Sequence, residues 1–79
     1  IGKRKNMQTF RLRAGDEFIR LGQVLKASAI AESGADAKNM IQSGIVSVNG
    51  ENETRRGRKL YPGDTVSVNG EELQIQAAL

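Results

Sequence analysis

The chain has no cysteine, no histidine and no tryptophan, a single proline, and only three aromatic residues, Phe10, Phe18 and Tyr61. Without cysteine there are no disulfides, thiolate nucleophiles or thiolate metal sites. Without histidine the usual general base and the commonest metal ligand are missing too. No apolar run approaches the roughly 20 residues that span a bilayer, and no secretory signal pattern is visible. A cytoplasmic protein with no membrane partner is the expectation. The 79 residues form one domain, and a chain this short buries only about 60 % of its surface on folding, so its core is small. With 38 % apolar residues, 27 % charge of both signs and clear periodic segments, it reads as a lean globular domain rather than a disordered one.

What is present is charge, unevenly spread. The net charge of +3 comes entirely from Lys3, Arg4 and Lys5, so residues 1–6 read as a flexible basic arm or a remnant, and residues 7–79 as the domain. Within the domain, residues 16–53 carry six acidic against three basic side chains, whereas residues 54–60 carry four positive charges and no negative one. An anion-binding surface requires this kind of segregation.

The two-residue alternation of Met7–Arg13, with Phe10 and Leu12 on one face and Arg11 and Arg13 on the other, predicts a half-buried strand. Asp16 then occupies a helix N-cap position, and the spacing of Phe18, Leu21, Val24 and Leu25 predicts a first amphipathic helix through "EFIRLGQVLKA". Gly22 inside it points to close packing against another backbone. Ile30 reads as a buried anchor. "SGAD", Ser33 to Asp36, has capping-box spacing and opens a second helix of about ten residues, with Ala37, Met40 and Ile41 as its apolar face and Gly44 ending it. From Ile45 the period becomes two, and Asn49-Gly50 is the signal for a type I′ hairpin. "SVNGE" occurs twice, at 47–51 and 67–71, but the flanking residues differ, so each copy reads as local hairpin chemistry. Tyr61-Pro62-Gly63-Asp64 supplies another turn. The predicted class is α+β, two short helices packed on a small antiparallel sheet with three or four strands after the helices.

Few groups here carry chemistry. The carboxylates, Glu53 included, occupy caps, turns and strand edges, no Gly-rich loop has Walker spacing, and no serine has a histidine to activate it. No enzyme, cofactor, metal or small-molecule substrate is expected. The cluster Arg55, Arg56, Arg58 and Lys59 fits two roles. Guanidinium forks and an ammonium on a Gly-interrupted segment can follow a sugar-phosphate backbone, or they can be a solvated edge that discourages aggregation. Arg20 and Lys26 on the polar side of the first helix, and Arg11 and Arg13 on the strand, fit solvated faces. Lys38 lies one turn into the second helix, whose N-terminus favours an anion, although Ser33 and Asp36 also read as ordinary caps. Tyr61 can stack a base or pack under the loop, and packing is the expectation. Phe10 and Phe18 are expected in the core.

Taken together, "RLGQVL" (20–25), "SGADAKNMIQSGIVSVNG" (33–50) and "YPGDTV" (61–66) resemble, in order and spacing, the RNA-binding domain named after ribosomal small-subunit protein four, also called the alpha-L motif. The "ETRRGRKL" segment looks like that of the stand-alone bacterial members. Gly34 and Gly22 depart from the family pattern, which often has a basic residue and an Asp there. The resemblance implies that two helices and the following hairpin form one basic face. Lys38, Arg55, Arg56, Arg58 and Lys59 would be backbone contacts, with Arg20 and Lys26 beside them. It further implies a non-catalytic module docking on structured RNA, such as ribosomal RNA, tRNA or the ribosome. Two other readings stay open: a protein-interaction module for an acidic partner, and the targeting domain of a larger RNA-modifying enzyme.

Overall fold

The computed structural model describes residues 6–78; the basic run Lys3–Lys5 lies outside them. Two helices and seven strands follow in the order β1 (Asn6–Arg11), β2 (Ile19–Arg20), α1 (Leu21–Ala27), α2 (Gly34–Gln42), β3 (Val46–Val48), β4 (Glu51–Asn52), β5 (Lys59–Leu60), β6 (Thr65–Val68) and β7 (Glu71–Gln76). Five strands form one sheet in the order β1-β7-β6-β3-β4, and β2 pairs with β5 in a separate two-stranded ribbon. The α+β class holds. One feature of the sheet differs from expectation: β1 runs parallel to β7, with Phe10 beside Ile75, so the sheet is mixed. Alternation specifies which face a strand buries but not the direction of its neighbour.

The hairpins follow local rules. Asn49 and Gly50 have φ of 53° and 86°, and Asn69 and Gly70 have 50° and 85°, the pair of positive values a type I′ turn needs. Both "SVNGE" copies are therefore the same turn at different places in one sheet. The valines in and just before them pair across the sheet, Val46 with Val68 and Val48 with Val66, and all four are buried. Helix α2 also starts as its sequence dictates. Ser33 Oγ accepts from the Asp36 N–H at 3.0 Å, and Asp36 Oδ2 accepts from the Glu32 N–H at 3.0 Å.

Helix α1 starts later than predicted. Asp16 caps nothing; Ile19 and Arg20 are extended and pair with Leu60 and Lys59, and Arg20 is the N-cap residue. The apolar spacing from Phe18 onward mixes a strand with a helix, and the partner strand, some 40 residues downstream, decides where one becomes the other. Gln23 Oε1 accepts from the Arg20 N–H at 3.2 Å.

One apolar cluster joins the layers: Leu21, Val24 and Leu25 of α1, Ala37 and Ile41 of α2, the four sheet valines, and Leu12, Ala31, Leu60, Leu73 and Ile75. Phe10, Ile19, Ile30 and Met40 pack against it, partly buried. Phe18 is absent from this cluster, contrary to expectation: it lies before strand β2, outside helix α1, and is only partly buried. No helix among the described residues is long and apolar enough to cross a membrane.

Ile41 is fully buried and Met40 is not. Ile41→Ala is expected to cost about 2–5 kcal/mol in urea denaturation and Met40→Ala clearly less.

Candidate nucleic-acid interface

The basic segment is shaped by a carboxylate beneath it. Glu53 is only 6 % exposed. Its Oε2 accepts from Arg55 N–H and Arg55 Nε, both at 3.0 Å, and its Oε1 accepts from Arg55 Nη2 at 3.1 Å and Arg58 Nη1 at 2.8 Å. The side-chain hydrogen bonds from Arg55, then Arg58, outweigh the opposing effect of burial and hold the carboxyl at about 2, well below its ordinary value of 4.5. The same pairing raises the Arg55 pKa. A buried charge tolerates its loss of water only when paired and hydrogen-bonded in this way. Glu53 therefore has a structural task that its place among the surface carboxylates of the sequence does not disclose. Its signal, arginines two and five residues later, matches no regular-structure period.

The loop so folded reaches α1. Leu21 N–H donates to Arg58 O and Gly22 N–H to Arg56 O, each at 2.9 Å. The close approach inferred for Gly22 is therefore real. A Cβ there would stand 2.6 Å from Arg56 Cγ, so the missing side chain is what lets the Arg56 stem lie across the helix start. Arg20 closes the other side, donating from Nη1 to Gly57 O at 2.9 Å.

Two shallow depressions meet along this seam. Arg20, Gly22, Gln23, Lys26, Gly34, Arg56 and Gly57 line one. Arg20, Arg55, Gly57, Arg58 and Lys59 line the other. Arg20 and Gly57 belong to both. Six of the seven cations singled out in the sequence thus converge on one surface from β2, α1, the loop and β5, and no carboxylate lines either depression. Lys38 is exposed on α2 and lines neither depression. At the N-terminus of α2, Ser33 and Asp36 act as caps, and Gly34 edges the first depression.

Beside this surface lie two groups that sequence reasoning assigned to packing. Phe18 and Tyr61 face each other across the β2–β5 ribbon with ring centroids 5.8 Å apart, tilted by 51°. Lys59 Nζ is 4.8 Å and Arg20 Cζ 5.6 Å from the Phe18 ring centroid, within cation–π range.

The depressed Glu53 pKa has a measurable consequence for stability. Its contribution is complete above the ordinary carboxylate value and is lost as pH falls from 4.5 toward about 2, because the unfolded chain binds the proton first. Over that window the wild type is expected to lose roughly 2 kcal/mol more than Glu53→Gln, a figure reduced for solvent screening at the exposed Arg55. Urea denaturation at stepped pH checks it; equal acid slopes would remove Glu53 from this role.

The molecule closely matches known proteins. Residues 10–76 match the model of the S4 domain family. In Bacillus subtilis (strain 168), "Probable ribosome maturation protein RlbA" is 48 % identical over 54 residues, 68 % of this chain and 76 % of that protein. In Escherichia coli (strain K12), "Putative RNA-binding protein YbcJ" is 41 % identical over 71 residues, 90 % of this chain and all of that protein. The solution structure of YbcJ, described as revealing an alfaL motif involved in RNA binding, superposes with a TM-score of 0.69 at 40 % identity, covering 98 % of this chain and 96 % of that one. In sequence over most of its length, and in the arrangement of its helices and sheet, the chain belongs to the S4 domain family.

Proposed function

We propose that the chain is a non-catalytic RNA-binding domain that docks on structured RNA, ribosomal RNA or tRNA, through the seam between α1 and the basic loop. The observation that carries this reading is the convergence of Arg20, Lys26, Arg55, Arg56, Arg58 and Lys59 on one surface free of carboxylates. Glu53, which anchors the loop, is itself buried. Such a surface matches the phosphates of an A-form helix, whose deep groove withholds its base edges from side chains. Recognition by backbone and shape is the corollary, with little dependence on paired sequence. The names of the relatives, one for RNA binding and one for ribosome maturation, support a ribosome-related RNA and a cytoplasmic setting. Lys38 would join as an outlying contact on α2.

The six cations are not interchangeable. Removing Arg55 and Arg58 would strand a buried carboxylate, so loss of binding in that variant would be confounded with loss of fold. Lys26, Arg56 and Lys59 make no salt bridge among the described residues and are the informative positions. Titrating the chain with an RNA hairpin between about 50 and 200 mM salt is expected to show log affinity falling by roughly three to four units per decade. Each of Lys26→Ala, Arg56→Ala and Lys59→Ala should lower that slope by about one while the melting temperature holds. No measurable RNA binding at the lowest salt, with an acidic protein partner bound instead, would overturn the reading.

Gly22→Ala separates groove shape from charge. Helix propensity favours it by up to about 1 kcal/mol, while the new methyl group displaces the Arg56 stem. Stability is expected to change little and RNA affinity to fall; affinity equal to wild type would show that the position of Arg56 is immaterial.

A further inference from the structure

We propose that Tyr61, backed by Phe18, is a stacking platform for an unpaired base of the bound RNA, an inference that rests on the RNA-binding reading above. Three aromatic residues are available to this small chain. Only Phe10 packs against the core; the other two are paired at the surface. The register of the ribbon, Ile19 opposite Leu60 and Arg20 opposite Lys59, places Phe18 opposite Tyr61 at its end. The partly buried Phe18 ring is flanked by Lys59 and Arg20, so its neighbours already occupy it. Tyr61 differs: it is 47 % exposed, and its hydroxyl makes no hydrogen bond among the described residues.

Position gives this exposure its meaning. Lys59 and Arg20 both line the second depression and both approach Phe18, so the aromatic pair borders the cationic surface directly. A nucleotide whose phosphate sits between Lys59 and Arg20 has its base within reach of Tyr61. Every base has a π-face, so such a contact selects for an unpaired nucleotide and not for its identity. The duplex would lie on the seam while a bulge or a helix end reaches the ribbon. The backbone of Tyr61 is fixed for this, its N–H donating to Asp64 Oδ2 at 2.8 Å while the Asp64 N–H donates back to Tyr61 O at 3.0 Å.

The test compares two RNA hairpins that differ in one feature: one has a blunt, fully paired stem, and the other carries a single unpaired 2-aminopurine at the stem end. The wild type is expected to bind the second about tenfold more tightly and to quench its fluorescence on stacking. Tyr61→Ala and Tyr61→Leu should each remove the preference and the quenching, leaving the blunt hairpin's affinity and the salt slope unchanged, whereas Tyr61→Phe retains both. Leucine keeps apolar bulk without the π-face and so controls for packing. Equal losses on both hairpins in the Ala and Leu variants, or wild-type binding of both hairpins with no quenching, would overturn the stacking role and leave the RNA-binding reading intact. If the wild type binds neither hairpin, both proposals fall.

Discussion

The first turn of α1 is closed by the carbonyls of the basic loop, and the basic surface depends on that closure. A helix start leaves N–H groups without intrahelical partners. In α2 a serine side chain serves them locally, whereas in α1 the N–H groups of Leu21 and Gly22 donate to Arg58 and Arg56. Helix and loop therefore cannot be positioned independently. Gly22 permits the approach, Arg20 bonds back to Gly57, and Glu53 fixes the loop's turn from below. The cations consequently project from a backbone already held in shape. Ordering that a flexible basic tail would undergo on contact with RNA has here been completed during folding.

This arrangement divides the arginines by task. Arg58, with a side chain 28 % exposed, and Arg55, 73 % exposed, share one carboxylate. Each thus spends part of its hydrogen-bonding capacity on the loop while still contributing to the surface. Arg56 lies over Gly22 and makes no ion pair among the described residues. A buried acid under a basic face lowers the local positive charge by one, but it is what gives the remaining charge a defined geometry. Counting basic residues in "RRGRK" overstates the field and understates the order.

The parts legible in the sequence were those whose causes are local. Asn49-Gly50 and Asn69-Gly70 carry their turn geometry in two residues, and Ser33 with Asp36 marks the start of α2 in four. Six of the seven candidate contacts also meet at one surface, because most of them sit on a short stretch that cannot disperse. What escaped has distant causes. The two-residue strand at Ile19–Arg20 exists only because Lys59–Leu60 pairs with it, so its apolar spacing passed for the first turn of a helix. Phe18 looked like core for the same reason. Glu53 looked ordinary because burial is not visible along the chain.

The parallel pairing of β1 with β7 bears on how the domain is assembled. Arg11 and Gln76 are 65 residues apart in sequence and in contact in space. During synthesis β1 has no sheet partner until β7 has been made. The hairpin β3–β4 can close in the meantime from its own turn. The edge that β1 finally covers belongs to the strand carrying Leu73 and Ile75, both buried. β1 and β4 are the outer strands of the finished sheet, so the pairing of β1 takes β7 off the edge, where it could otherwise pair with another chain.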